Sequence, residues 1–192
     1  MASGTASAGD STADSPGSAR RAELLGLAYD YVLERGLAGL SLRPLAAAIG
    51  TSPRVLLYLF GSKDGLVREL LAKVREQQLA LVSSSFEGRT IRGVDELVAV
   101  VWRLVSAPER RGPVRLIYEA FLMSLQRDPG PWEGFASEQM RDWLTVLRSV
   151  QTGVSPPEAE ARATAALALV RGLLLDLLVT EDQDRIARAL EV

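Results

Sequence analysis

Cysteine and histidine are both absent from the sequence, and lysine occurs only at Lys63 and Lys73. Without cysteine there is no disulfide framework, no thiolate metal ligand and no cysteine nucleophile. Without histidine there is no imidazole general base, and a Ser-His-Asp triad is excluded. An enzyme would be left with carboxylate, Lys, Tyr or Ser-Lys chemistry. Glu158 and Glu160 stand two apart on an expected helix, where side chains diverge, and no Glu-x-x-His occurs. These absences favour a binding protein over an enzyme and imply neither a metal nor a cofactor. Aromatics are sparse, at 6%, against 47% hydrophobic residues overall. The 192 residues suffice for a packed core in one domain or two small ones.

After Met1, residues 1–17 are Ala, Ser, Gly, Thr, Asp and Pro. Such a segment buries too little surface to offset its ordering entropy, which predicts a disordered tail. It has no basic start and no apolar core, so it does not read as a signal peptide. The longest apolar stretch, 165–179, is interrupted by Arg171 and Asp176 and falls short of the roughly 18–20 residues of a membrane span. The expectation is a soluble cytoplasmic protein with no membrane partner.

Every long segment after residue 17 has helical spacing, and none has sustained alternation. Leu24, Leu25, Ala28, Tyr31 and Val32 mark one helix face, closed by Arg35-Gly36. Ser41 caps a short helix in which Pro44 falls in the first turn. Ser52-Pro53 starts another, running to about Phe60. Ser62 caps a long helix from Lys63 to about Ser83. Five more segments follow: around 97–105, around 116–125, from Trp132 to about Val150, from Glu158 to Val179, and 184–190. About nine helices and no strand are expected.

Residues 41–66, SLRPLAAAIGTSPRVLLYLFGSKDGL, carry the most information. Two short helices joined by a turn containing Gly50 form a helix-turn-helix pattern, with the second helix available for the DNA major groove. Ala46, Ala47 and Ala48 are small enough for the helices to cross closely, and Ile49, Val55 and Leu56 can form the core beneath them. The same hairpin also occurs in bundles with no DNA role.

The stretch 24–66 resembles the DNA-binding domain of the TetR family of bacterial transcription regulators. The resemblance rests on Leu24-Leu25, Ala28, Glu34-Arg35-Gly36, Ser41-Leu42-Arg43, Leu45-Ala46 and Gly50-Thr51-Ser52. It rests above all on Leu56 followed by Phe60-Gly61-Ser62-Lys63-Asp64-Gly65-Leu66. The family pattern has an aromatic, usually Tyr, where this chain has Leu57; here the tyrosine is Tyr58. Charge agrees: residues 18–75 hold nine Arg/Lys and five acids, a local +4, whereas residues 76–192 are at −4 and the tail at −2. A basic end on an acidic body suits phosphate contact at one end.

Arg54 is the candidate base contact, because its fork matches guanine O6 and N7; a phosphate is the alternative. Lys63 matches the family lysine at a helix N-terminus facing a phosphate. Ser41, Arg43, Ser52 and Tyr58 are further phosphate candidates, although Ser41 and Ser52 also serve as caps and Tyr58 could pack as core. Pro44 removes one N–H that the Ser41 hydroxyl would accept from.

For the aromatic residues of the second half, the plain reading is core. The resemblance adds a ligand cavity for an apolar or partly apolar small-molecule effector, with Trp102, Tyr118, Phe121 and Trp143 as candidate lining. It also implies a homodimer through the 158–179 helix and the last helix, with Arg171 and Asp176 able to pair across the two-fold axis. The expected fold is all-α: an N-terminal three-helix DNA-binding domain (18–66) and a C-terminal helical bundle for ligand binding and dimerisation (67–192). The expected function is a ligand-responsive regulator, by default a repressor, on a pseudo-palindromic operator. The alternative is a helical small-molecule or protein-interaction module without DNA binding.

Overall fold

The structure, a computed structural model, describes residues 16–190. The expected disordered tail lies outside them, except that Pro16 and Gly17 open the first helix. Among the described residues the chain forms α1 (Pro16–Arg35), α2 (Leu42–Ala48), α3 (Pro53–Phe60), α4 (Lys63–Phe86), α5 (Val94–Val105), α6 (Arg111–Ser124), α7 (Phe135–Ser149), α8 (Pro156–Thr180) and α9 (Gln183–Ala189), with no strand. Short 3-10 turns at Pro108–Arg110 and Gly130–Trp132 precede α6 and α7.

Local chemistry sets most helix ends. The Ser52 hydroxyl accepts from Val55 N at 3.3 Å, and the Ser62 hydroxyl accepts from Gly65 N at 2.9 Å. Each satisfies an amide that the first turn leaves without a partner. Ser41 holds the N-cap position of α2 without a side-chain hydrogen bond. Trp132 does not start a helix as expected. It ends a 3-10 turn, Gly134 takes φ +76, and α7 begins at Phe135.

The junction of α3 and α4 is tight. Gly61 turns the chain at φ +74, which brings the α3 C-terminus against the first turn of α4. A Cβ at Gly65 would lie 2.1 Å from the Phe60 carbonyl oxygen. Only glycine fits there without moving backbone.

Two apolar clusters divide the interior. The first joins α1 to α4 with Leu116, Ile117 and Ala120 of α6 and with Trp132 and Phe135. The second joins the far half of α4, through Val82 and Phe86, to α5, α7 and α8. The helix α4 crosses the expected 66/67 boundary unbroken and serves both clusters. The helix α6 also serves both clusters and closes the end of α1. Its Glu119 carboxylate accepts from Leu37 N at 2.7 Å and Ala38 N at 3.2 Å, and its Arg115 donates to Leu33 O at 2.6 Å.

The helix α8 is long and apolar enough to cross a membrane, contrary to the expectation that its charges leave it short. One side of it, with Ala163, Ala166, Leu167, Val170 and Leu174, is built into the second cluster. Its other side leaves Leu169, Leu175 and Val179 exposed. Within the chain, Arg171 and Asp176 do not pair with each other. Asp176 accepts two bonds from Arg185 of α9, at 2.5 and 2.8 Å, while Arg171 lies one turn back beside an internal cavity. Residues 171 and 176 are five apart, which rotates them to different helix faces.

Gly65→Ala is expected to destabilise the fold by about 1–3 kcal/mol, because the new methyl meets backbone. Gly26→Ala, in the interior of α1 with nothing within 4 Å of its Cβ position, is expected to stabilise by about 0.5–1 kcal/mol. Urea denaturation of the two variants checks the contrast, and equal effects would remove the close-approach argument.

Candidate nucleic-acid interface and internal cavity

The helix α3 is two turns long, so few of its side chains can anchor it. Leu56 and Phe60, at i and i+4, are buried. Burying such side chains contributes about 1.5–3 kcal/mol each. Arg54, Leu57 and Tyr58 fall on the opposite face. Tyr58 is 86% exposed, which excludes the core position considered for it. Val55, expected in the core, is 38% exposed because it is rotated about 100° from Leu56 on the helix. Of the three alanines in α2 only Ala46 is buried, so it alone makes the close crossing.

Ser41, Arg43, Ser52, Arg54, Tyr58 and Lys63 are all exposed. They gather at the N-terminal ends of α2, α3 and α4, except Tyr58, which lies one turn along α3 from Arg54. These ends carry unpaired amides and the positive pole of the helix dipole. Arg43, Arg54 and Lys63 make no side-chain hydrogen bond or ion pair among the described residues. By contrast, Arg20 pairs with Glu23, Arg21 with Glu69, and Arg75 with Glu138 and Asp142. The candidate contacts therefore carry charge that no acid among the described residues compensates.

Arg21 was not identifiable as a site residue from sequence, because its partners are distant in the chain. Its Nε donates to Leu59 O at 3.3 Å, its Nη2 binds Glu69, and its guanidinium lies 5.4 Å from the Phe60 ring centroid. One side chain of α1 thus ties down the C-terminus of α3 and positions the exposed face.

In the second half, α4 to α8 enclose a cavity of about 50 Å³. Of the candidates, Tyr118, Phe121 and Trp143 line it, together with Gln78, Gln139 and Arg171. Trp102 does not line it and instead packs half-buried against the second cluster. Burial pushes the Tyr118 hydroxyl up to about 12, and that hydroxyl donates to Arg171 O at 2.5 Å. Burial pulls the Arg171 guanidinium below its usual value, with Tyr118 acting in the opposite direction.

The cavity amides have one consistent orientation. Trp143 Nε1, a donor only, faces Gln78 Oε1 at 3.4 Å. Gln139 Nε2 donates to the same oxygen. This leaves Gln139 Oε1 buried with no donor, an arrangement that costs about 1–3 kcal/mol. Sequence alone could not single out Gln139 or Gln78, since polar residues on amphipathic helices ordinarily face water.

A two-turn helix anchored by one face, with free cations at neighbouring helix N-termini, is the arrangement of a helix-turn-helix DNA-binding regulator. Residues 24–70 match the family described as "Bacterial regulatory proteins, tetR family". No curated protein sequence matches the chain. Solved structures share its fold. A transcriptional regulator from Rhodococcus sp. Rha1 is 24% identical with a TM-score of 0.73, over 88% of this chain and 91% of that one. Salmonella enterica GusR is 18% identical with a TM-score of 0.65, over 93% and 95%. The multidrug binding protein EbrR complexed with proflavin is 24% identical with a TM-score of 0.64, over 90% and 98%.

Tyr118 contributes stability in full below the unfolded tyrosine value near 10, and this contribution is lost as pH rises through its folded value of about 12. Stability is expected to fall across that window, and Tyr118→Phe should flatten the fall. Denaturation midpoints between pH 9 and 12 test this; an unchanged slope in the variant would remove Tyr118 as the source.

Proposed function

We propose that the protein is a ligand-responsive repressor that acts in the cytoplasm as a homodimer on a pseudo-palindromic operator. The supporting observation is the exposed face of α3, where Arg54 has no partner within the chain. In this reading α3 enters the major groove and Arg54 meets guanine O6 and N7. Leu57 and Tyr58 offer apolar surface to thymine methyl groups. Ser41, Arg43, Ser52 and Lys63 hold backbone phosphates on either side, and Tyr58 can reach one as well. Two half-sites would lie about 34–36 Å apart or somewhat more.

The exposed side of α8 supports dimerisation. Ala165, Ala168, Leu169, Gly172, Leu175 and Val179 recur at helical spacing and are all exposed. The small residues permit close approach of a second helix, and the leucines and valine supply area to bury. The ion pair of Asp176 with Arg185 seats α9 beside this surface.

The effector reading follows from the same helices. EbrR, which shares this fold, is complexed with proflavin. At about 50 Å³ the cavity is well below the roughly 300–1,000 Å³ of a drug-sized site. An effector must therefore widen it, so it binds a different state more tightly than this one. The helices α4 and α6 border the cavity and also pack in the DNA-binding core, so widening reaches α1 and α3. We take this difference in affinity as the source of operator release.

Selection from a random DNA library by the purified full chain is expected to enrich a pseudo-palindrome; no enriched sequence would overturn the reading. On that DNA, Arg54→Ala should cost about 1–3 kcal/mol and relax one base position. Lys63→Ala should weaken all sequences alike and reduce the salt slope by about 1. An unaltered slope for Lys63→Ala would reject the phosphate assignment. For the dimer, Leu175→Glu is expected to give monomers by light scattering, and an intact dimer would move the interface elsewhere.

A further inference from the structure

The cavity is charged on one side only. Arg171 is the one charged residue among its lining residues, and no carboxylate lines it. The guanidinium makes no ion pair and no side-chain hydrogen bond among the described residues; its neighbours are the Phe121 ring, 5.5 Å from its carbon to the centroid, and Tyr118. The nearest acid along α8, Asp176, is occupied by Arg185. Elsewhere in the second half, arginines facing acids pair with them: Arg148 with Glu160, and Arg162 with Glu158. A half-buried guanidinium without a counter-charge is retained at a cost to the fold, which an anion from outside would offset. The second uncompensated group in the same cavity is Gln139 Oε1, which is buried and lacks a donor.

We propose that the effector is an amphipathic organic anion. Its carboxylate pairs with Arg171, its apolar body lies against Phe121 and Trp143, and a hydroxyl or N–H group on it donates to Gln139 Oε1. This rests on the reading of the cavity as the effector site. The arrangement also selects against cations: an aromatic cation entering here meets Arg171 with no carboxylate to hold it.

The test uses the full chain and three matched probe series of six to twelve carbons: alkanoates, alkanols and alkylamines, followed by calorimetry. Wild type is expected to bind an alkanoate about tenfold or more tightly than the matched alcohol or amine, the scale of one charge-assisted pair. Arg171→Gln should abolish that preference, and Arg171→Lys should retain most of it. Without ligand, Arg171→Gln should melt at the same temperature as wild type or higher, because an unpaired half-buried charge is gone. Equal binding of the three series by wild type, no alkanoate binding, or equal weakening of all three in Arg171→Gln would each overturn the proposal. A lowered melting temperature in Arg171→Gln would assign the arginine a structural role instead. The DNA selection separates this proposal from the regulator reading. An enriched palindrome without alkanoate preference rejects the anion alone, and alkanoate preference without an enriched palindrome rejects the regulator reading alone.

Discussion

The end of α1 leaves backbone groups that nothing in its own sequence can satisfy, and α6 supplies what they lack. Gly36 turns the chain at φ +80, and a Cβ there would lie 2.7 Å from Glu119 Oε1. The carboxylate of Glu119 then receives the amides of Leu37 and Ala38, while Arg115 takes the carbonyls of Leu33 and Glu34. The cation on the last carbonyls is the polarity that a helix C-terminus favours, and the carboxylate receives the amides of the turn that follows. The DNA-binding head is thereby fastened to the body through a polar clasp on one helix. Another side of that helix, with Tyr118 and Phe121, borders the cavity. Under the proposed effector reading, displacement of α6 by cavity contents would move the clasp, and with it the frame on which α3 stands.

A single accounting of charge describes both ends of the molecule. The ion pairs of the described residues are largely surface features of small individual worth. The informative cations are the unpaired ones. Among these, Arg43, Arg54 and Lys63 are exposed at helix N-termini of the head, and Arg171 is half-buried beside the cavity of the body. The exposed group suits a polyanion with its own solvent shell, and the half-buried one suits a single anion attached to an apolar molecule. On the proposed readings, the same chemistry separates two classes of partner by burial alone.

The head was largely legible in the sequence because its signals are local. Ser52-Pro53 and Ser62 cap the helices they precede, and Gly50 and Gly61 take the positive φ that their turns require. What was not legible was rotation. Val55 reads as core from its composition, but Leu56 and Phe60 together settle which way α3 faces, and Val55 is carried outward. In the body, Tyr118, Phe121 and Trp143 line one cavity, whereas Trp102 packs against the second cluster away from it. Large aromatic side chains look alike along a helix until the crossing of the next helix determines which of them meet.

By itself the sequence determined the helices, their caps, the short second helix of the DNA-binding motif and the absence of thiol and imidazole chemistry. Each of these depends on residues within a turn or two of one another. The tertiary structure decided which charges are free. Arg185 reaches Asp176, Arg21 reaches Glu69, and Arg171 reaches no acid, although nothing in the spacing of these residues distinguishes the three arginines. Pairing of long side chains depends on how helices from distant parts of the chain are set against each other, and that setting is a property of the packed core.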